Sequence, residues 1–219
     1  MKNSAEKIIF AIPKEIITVA KTLEKSSFEA YLIGGCVRDL LLKKKPKDWD
    51  FTTNATPDEI MKIFPNTFYE NKYGTVGVVS ESVSDASLDE TLKVVEVTPY
   101  RLEAKYSNKR HPDAVTFGKK LDDDLKRRDF TMNAIALKIE KETEVGCEVV
   151  AVDLFGGQKD LKAGIIRAVG EPAERFAEDA LRILRAIRLS AELDFAIENK
   201  TSEAIKANAR HLENISAER

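Results

Sequence analysis

Apolar residues recur along this chain with two different periods, and the pattern predicts an alternation of helices and strands. Over residues 13–25 they return every three or four positions, which is typical of an amphipathic helix that has proline at its start. The segment TPDE at 56–59 is a capping box and predicts a second helix that ends near residue 64. Short valine-rich or alternating runs predict strands at 29–33, 49–53, 75–80, 92–98, 134–139, 149–152 and 166–169.

From residue 171 onward the apolar spacing is helical and the intervening positions are highly charged. One apolar stripe of this region is expected to face the core, and it consists of Ala180, Ile183, Leu184, Ile187 and Ala191. The composition changes across residues 155–171, which is the best candidate for a domain boundary. We therefore predict an α+β protein with a mixed head over residues 1–155 and a helical neck over residues 156–219.

Composition narrows the class of protein without identifying it. Of the 219 residues, 43% are hydrophobic and 33% are charged, as in ordinary globular proteins. No apolar run is long enough to span a membrane and the N-terminus lacks a signal-peptide pattern, so we expect no membrane partner. Two isolated cysteines, Cys36 and Cys147, form no disulfide or zinc pattern and fit a reducing cytoplasm. The net charge of −2 provides no overall basic field, so any RNA contact must be local or lie on sequence absent from this chain.

Residues 31–42 combine features of a phosphate-binding site. Gly34 and Gly35 close a short apolar strand, and a helical pattern follows at once. Glycine lets the backbone approach a ligand closely, and the N–H groups at a helix start attract anions. Arg38, one turn into this helix, can add charge-assisted hydrogen bonds to the same phosphate. On its own, a glycine pair is usually only a turn.

Asp48 and Asp50 flank Trp49 at the start of the next predicted strand. Side chains alternate along a strand, so the two carboxylates should point the same way, roughly 6.6 Å apart. Such a pair can hold two Mg²⁺ ions about 3.5–4 Å apart, the arrangement used for in-line displacement at phosphorus. An isolated pair of this kind is usually a solvated strand end. Combined with the glycine turn and Arg38, it predicts metal-dependent nucleotidyl transfer from a triphosphate.

The sequence GGCVRD at 34–39, followed by DWDF at 48–51, resembles the first signature of the class II tRNA nucleotidyltransferases and bacterial poly(A) polymerases, within the DNA polymerase beta-like superfamily. The resemblance covers residues 31–193, with its motifs in the family's order. The five further motifs are VVEVTPYR (94–101), RHPDAVTF (110–117), RRDFTMNAIAL (127–137), DLFGGQKDL (153–161) and ERFAEDALRILRAIRL (174–189). It implies a polymerase beta-like nucleotidyltransferase head, a mixed sheet with flanking helices, followed by a helical neck.

The superfamily places a third acid on a later strand, and the resemblance implies that this acid is Glu96. Glu96 lies in the predicted strand VVEVT, with Val95 and Val97 on the opposite face. The implied catalytic and metal-binding set is then Asp48, Asp50 and Glu96. Mg²⁺ lowers the pKa of the attacking 3′-hydroxyl and neutralises the leaving pyrophosphate, so no histidine base is needed. The alternative is that Glu96 is an exposed strand residue.

In the similar enzymes, the motif RRDFTMNA contacts the sugar and phosphates of the incoming nucleotide. By this resemblance Arg128 is expected to bind phosphate and Asn133 to brace the loop. Asp129 is expected to accept a hydrogen bond from the ribose 2′-hydroxyl, which would favour ribonucleotides. The alternative is an exposed cluster of ion pairs that contributes little to stability.

The motif EDALR at 178–182 is expected to recognise the base. On one continuous helix Asp179 and Arg182 lie about 60° apart and are neighbours. A carboxylate accepts from the amino group of cytosine or adenine and a guanidinium donates to the adjacent acceptor, whereas uracil and guanine place a carbonyl and a ring N–H there. The pair should therefore admit CTP and ATP, with Arg185 and Arg188 extending toward the triphosphate or RNA. Alone, such a pair would be only an intrahelical ion pair.

The polar loop at 101–113 indicates which reaction of the family to expect. It is full-length and contains Arg101, Lys105 and Arg110, whereas similar enzymes that add only CC have a shortened loop. We therefore predict CCA addition, the transfer of CMP and AMP from CTP and ATP to the 3′ end of tRNA. CC addition, A addition, poly(A) synthesis and a nucleotide- or RNA-binding module without turnover are the alternatives.

Similar enzymes continue well beyond the position of Arg219 with helical body and tail domains. The present sequence stops within a helical pattern, so we expect a truncated or minimal form. Contacts with the body of the tRNA are then expected on sequence absent from this chain.

Overall fold

A computed structural model describes residues 8–69, 74–80, 84–85, 87, 89–102 and 116–214. The chain divides into two compact units, and each is assembled from separate stretches of sequence. The first unit comprises Met1–Tyr100, Phe117–Leu121 and Ile135–Asp153, and the second comprises Arg101–Thr116, Asp122–Ala134 and Leu154–Arg219.

The predicted division into residues 1–155 and 156–219 differs from this arrangement chiefly in two segments, Arg101–Thr116 and Asp122–Ala134, which belong to the second unit. The contacts of Asp122–Ala134 show why. Backbone hydrogen bonds hold the segment there, because the N–H of Thr131 donates to the carbonyl of Arg167 at 2.9 Å. The N–H of Val169 likewise donates to the carbonyl of Asp129 at 3.0 Å. A single cut in the sequence cannot represent such a long-range pairing.

An eight-stranded mixed sheet forms the first unit, with the strand order β1-β8-β7-β2-β3-β6-β5-β4. Strands β3 and β6 are parallel, and the other neighbours are antiparallel. The strands are β1 (Ile8–Phe10), β2 (Tyr31–Ile33), β3 (Asp50–Thr53), β4 (Thr67–Tyr69), β5 (Val76–Val79), β6 (Val94–Pro99), β7 (Ile135–Thr143) and β8 (Gly146–Asp153).

Among the described residues of this unit, the α-helices are α1 (Lys14–Lys25), α2 (Gly35–Leu41) and α3 (Pro57–Ile63). The predicted helices at 13–25 and 56–64 are confirmed. Helix α1 buries one apolar face, as its spacing requires. Helix α3 has both halves of its capping box, because Glu59 Oε2 accepts from the Thr56 N–H at 2.8 Å and Thr56 Oγ1 accepts from the Glu59 N–H at 3.4 Å.

Several strands differ from their predicted bounds. The strands predicted at 134–139 and 149–152 are the inner parts of the longer β7–β8 hairpin, whose polar outer ends gave no strand signal. Residues Glu90–Leu92 form a 3-10 turn capped by Asp89, so the strand predicted from residue 92 begins at Val94 instead. Strands β1 and β4 were not predicted, because three residues are too few to show alternation.

The second unit is mainly helical. Its elements are α4 (Leu121–Lys126, from Asp122 onward), α5 (Gly157–Ala163), α6 (Pro172–Glu178), α7 (Leu181–Leu193), α8 (Asn199–Asn208), 3-10 turns at Thr131–Asn133 and Ala209–Asn214, and the parallel pair β9 (Ile165–Ile166) and β10 (Ala196–Ile197). The strand predicted at 166–169 is thus shorter and starts earlier. Within the described ranges, no helix of the chain is both long and apolar enough to cross a membrane.

Asp124 in α4 is a fully buried carboxylate that gathers three neighbours in the second unit. Its Oδ2 accepts from Arg128 Nη2 at 2.8 Å, and its Oδ1 accepts from the backbone N–H of Arg101 at 3.2 Å. Arg127 Nη1 lies 3.6 Å from Oδ1. Burial raises the pKa of the Asp124 carboxyl, but the two arginines and the hydrogen bonds outweigh burial and hold the pKa below its ordinary value.

We predict that Gly34→Ala lowers the free energy of unfolding by about 1–3 kcal/mol. Gly34 has a φ of 77° and a ψ of −132°, a backbone conformation that residues with a Cβ rarely adopt. Gly35→Ala is the matched control, because its added Cβ would meet Asp48 Oδ1 at 3.4 Å, an ordinary van der Waals contact. Urea unfolding of both variants tests this, and equal midpoints would contradict it.

We predict that Asp124→Asn costs about 3 kcal/mol at pH 7, because it leaves two partly buried arginines without their buried anion. A lowered pKa stabilises the fold above the unfolded value of about 3.9, and this contribution is lost as pH falls through the folded pKa. The deficit should therefore shrink at pH 3. Urea unfolding at both pH values measures it, with the exposed Asp122→Asn on the same helix as control. An unchanged deficit at pH 3 would argue against an ionic role.

Candidate active site

The turn between β2 and α2 brings Gly35, Arg38 and Asp48 together in the first unit. A Cβ placed on Gly35 would lie 3.4 Å from Asp48 Oδ1 and 3.7 Å from Arg38 Nη2. The Arg38 guanidinium is held by the neighbouring buried Asp39, whose Oδ1 accepts from Nε at 2.9 Å and lies 2.7 Å from Nη2. The Arg38 guanidinium and the Asp48 carboxylate thus both lie close to Gly35, where no side chain separates them from the backbone.

Asp50 and Glu96 are direct partners in the parallel ladder of β3 and β6. The N–H of Glu96 donates to the carbonyl of Trp49 at 3.0 Å and fixes this register. Residues paired in register project from the same face of a sheet, and neighbouring strands are about 4.8 Å apart. The structure therefore places these two residues next to each other on one face of the sheet, which the sequence could not establish.

Asp48 departs from its predicted position. Strand β3 begins at Asp50, so Asp48 lies in the bend that precedes the strand and the alternation expected of a 49–53 strand does not govern its direction.

Burial and the negative charges of Asp50 and Asp48 raise the pKa of the Cys36 thiol to about 12. Among the described residues, no three carboxylate, thiol or imidazole side chains are gathered as a ready-made metal cluster.

Asp129, in the second unit, is buried with 9% exposure, and its carboxylate is held from both sides. Oδ1 accepts from the Phe130 N–H at 2.8 Å and from Asn133 Nδ2 at 3.3 Å. Oδ2 accepts from Arg185 Nε at 2.7 Å. Burial raises the pKa of this carboxyl, but Arg185 and the hydrogen bonds hold it below its ordinary value. Asp129 is therefore an oriented anion at neutral pH.

Asp179 and Arg182 do not lie on one helix, contrary to the prediction. Helix α6 ends at Glu178, and Asp179 has an extended backbone with a φ of −139° and a ψ of 104°. Its Oδ1 accepts from the N–H of Leu181 at 2.9 Å, where α7 begins. Aspartate favours such capping positions because its side chain bonds an N–H that the first helical turn leaves without an intrahelical acceptor.

Arg182 is buried and pairs with Glu178 instead of Asp179. Its Nη1 donates to Glu178 Oε2 at 2.9 Å and to the carbonyl of Arg175 at 3.3 Å, and its Nη2 donates to the carbonyl of Arg127 at 3.1 Å. Within the described part of the chain, three of the five guanidinium N–H groups are engaged. Two remain for a ligand, on a side chain held firmly in place.

Helix α7 buries a different face from the predicted apolar stripe. Ile183 is buried as expected, but Ile187 and Ala191 are exposed, while Ala186 and Leu189 are buried. Together with Arg182, these two buried residues follow helical spacing. The buried face of α7 therefore includes Arg182 at one edge. The spacing of apolar residues alone does not predict this face.

The outer arginines of α7 have different partners. Arg185 pairs with Asp129, and Arg188 Nε lies 3.8 Å from Glu192 Oε1 on the exposed surface. Arg128, expected to bind phosphate, is held by Asp124. Asp124 was not among the predicted site residues, although its spacing of four residues from Arg128 is typical of an ion pair on a helix. In the predicted loop, Arg101 is described, whereas Lys105 and Arg110 lie outside the described residues.

Comparison with protein families gives two matches. The model for the Poly A polymerase head domain matches residues 30–167, well over half of the chain. A second model, described as the probable RNA and SrmB-binding site of polymerase A, matches residues 194–219.

The chain is similar to named CCA-adding enzymes of bacteria. The CCA-adding enzyme of Lactobacillus helveticus is 46% identical over 202 residues, which cover 92% of this chain and 46% of that protein. The CCA-adding enzyme of a Geobacillus species is 43% identical over 207 residues, which cover 94% of this chain and 47% of that protein. The chain thus spans about half the length of the curated relatives it matches.

Solved structures agree with these matches. The Bacillus stearothermophilus CCA-adding enzyme in complex with CTP has a TM-score of 0.78 and 41% identity, over 94% of this chain and 46% of that one. The Thermotoga maritima CCA-adding enzyme complexed with tRNA-CCA has a TM-score of 0.67 and 26% identity, over 94% and 45%. By the head-domain match and these relatives, the chain belongs to the poly(A) polymerase head domain family, and the relatives named above are CCA-adding enzymes of that family.

Proposed function

We propose that this chain forms the nucleotide-transferring part of a cytoplasmic enzyme that adds CMP and AMP, from CTP and ATP, to the 3′ end of tRNA. The observation that carries the proposal is the register that pairs Asp50 with Glu96, in a chain whose relatives are CCA-adding enzymes. The complexes of such enzymes with CTP and with tRNA-CCA support the choice of substrates.

The proposed Mg²⁺ ligands are Asp48, Asp50 and Glu96. Carboxylate oxygens are the donors that Mg²⁺ prefers, and the shared face of Asp50 and Glu96 suits a common cation. Bound Mg²⁺ would lower the pKa of the attacking 3′-hydroxyl and neutralise the leaving pyrophosphate. Because α2 has only seven residues, we assign the triphosphate mainly to Arg38 and the close backbone approach at Gly34 and Gly35, and less to the helix itself.

The residues proposed to recognise the nucleoside belong to the second unit. Asp129, an oriented carboxylate, would accept from the ribose 2′-hydroxyl, and Asn133 steadies it. Asp179 would accept from the exocyclic amino group of cytosine or adenine. Arg182, with two N–H groups remaining, would donate to the adjacent ring acceptor, so that CTP and ATP bind and UTP and GTP do not.

Poly(A) synthesis is a second candidate, because both matching family models are named after poly(A) polymerase. Incubation with Mg²⁺ and labelled CTP or ATP, on tRNAs that end before C, CC or A, separates the candidates. Ordered addition of two C and one A supports the proposal. Long A tails indicate poly(A) synthesis, and nucleotide binding without incorporation indicates a module without turnover.

We predict that Asp48→Asn or Asp50→Asn abolishes incorporation while the fold is retained. Removing a metal-binding carboxylate forfeits several kcal/mol of charge stabilisation, which corresponds to a rate loss of roughly 10²–10³-fold. Single-turnover CMP addition measures the loss, with the exposed Asp58→Asn on α3 as control. Rates within tenfold of the parent for both variants would overturn the metal assignment.

We predict that Asp179→Ser relaxes base choice while the start of α7 is preserved. Serine can still accept from the Leu181 N–H as a helix cap, but it lacks the carboxylate that would read the amino group of the base. The discrimination free energy between CTP and UTP, obtained from the ratio of their kcat/KM values, should fall by roughly 1–3 kcal/mol, the usual contribution of one good base contact. Asp179→Ala, which removes the cap as well, should show the same relaxation with an added loss of stability.

An unchanged CTP-to-UTP ratio in both variants would reduce Asp179 to a helix cap and contradict the account of base recognition. Urea unfolding run in parallel separates the two effects, because only the alanine variant should be destabilised.

A further inference from the structure

Arg185 reaches from α7 to the carboxylate that follows α4, and the contact joins two segments far apart in sequence. Arg185 Nε lies 2.7 Å from Asp129 Oδ2. The two side chains are unequally buried, with 9% exposure for Asp129 and 44% for Arg185. The arginine is thus the accessible partner, and it covers an anion that is otherwise enclosed.

The hydrogen bonds of Asp129 use most of the acceptor positions of its carboxylate. In the described part of the chain the carboxylate accepts three: two at Oδ1, from Phe130 and Asn133, and one at Oδ2, from Arg185. A carboxylate offers about four acceptor positions. The remaining position is therefore on Oδ2, the oxygen whose direction Arg185 controls.

We propose that Arg185 is a positioning residue that orients Asp129 Oδ2 for the ribose 2′-hydroxyl, and so contributes to the choice of ribonucleotides over deoxyribonucleotides. This inference rests on the proposed function, in which Asp129 reads the sugar. It differs from the expectation that Arg185 reaches toward the triphosphate or RNA.

The electrostatics of the pair support this role. Asp129 raises the pKa of Arg185, and the charge of Asp179 adds to the effect, so both carboxylates proposed to contact the nucleoside stabilise the charged guanidinium. Arg185 and, more weakly, Arg182 keep Asp129 ionised against the effect of burial. A protonated Asp129 would be a poorer acceptor for a hydroxyl.

Equilibrium binding tests the proposal without requiring turnover. Titration calorimetry of the 219-residue chain with CTP and with dCTP gives the ratio of their dissociation constants. Arg185→Gln should lower the preference for CTP by about tenfold, the discrimination of one hydrogen bond. The loss should arise from weaker CTP binding with dCTP binding nearly unchanged. Arg185→Lys, which keeps the positive charge, should recover part of the preference.

Arg167→Gln is the control, because it breaks ion pairs of the same kind in the same unit, one with Asp160 and one with Glu198. Arg167 Nε lies 3.0 Å from Asp160 Oδ2, and the side chains are 40% and 7% exposed. This variant should lose a similar amount of stability in urea unfolding and keep the CTP-to-dCTP ratio of the parent. A general loss of order would affect the two nucleotides equally.

The outcomes distinguish this inference from the proposed function. A parent chain that binds neither nucleotide overturns both. If Asp129→Ala lowers the preference for CTP and Arg185→Gln does not, only the positioning role fails. If Arg185→Gln weakens CTP and dCTP equally, Arg185 serves the triphosphate or the fold, and the inference is wrong.

Discussion

The parallel pairing of β3 with β6 is the constraint on which the chemistry of the first unit depends. Parallel neighbours cannot be joined by a tight turn, so the chain must cross over between them, and α3, β4 and β5 lie in this connection. The crossover sets Asp50 beside Glu96. Strand β2 runs antiparallel to β3, so its end, where Gly34 and Gly35 form the turn, meets the start of β3. The turn proposed to bind phosphate and the pairing of Asp50 with Glu96 thus follow from topology.

Buried carboxylates organise the second unit in a comparable way. Asp124, Asp129 and Asp160 are each enclosed and each paired with an arginine. A buried anion without its cation is costly, whereas the intact pair contributes little net stability compared with apolar packing. These pairs therefore fix which segments lie together more than they add stability. Asp129 binds α7 to the segment after α4, so the residues proposed to recognise the sugar and the base are held in fixed positions within this unit.

The sequence predicted the fold class, the helices α1 and α3, and most inner strands, because these elements carry strong periodicity or capping signals. It failed where a cap interrupts an apolar pattern or where a long-range partner decides the outcome. The helical pattern around EDALR ran without interruption, yet Asp179 caps α7 and breaks the helix. Arg182 is buried by partners on two other segments, α6 and the residues after α4, and its contact with Arg127 lies 55 residues away, beyond the reach of any local pattern. The neighbourhood of Asp50 and Glu96 likewise required the strand register, although both residues could be named in advance.

The bond from Leu181 N–H to Asp179 Oδ1 and that from Arg182 N–H to the Asp179 carbonyl are closed within four consecutive residues. Contacts of such short range form when the first turn of a helix nucleates, and they do not await the closure of long loops. The direction of the Asp179 carboxylate is therefore set when the first turn of α7 forms. Under the proposed function, the discrimination between bases would depend on the stability of that first turn. Fraying of the turn would lower the selectivity for CTP and ATP even if every distant contact stayed intact.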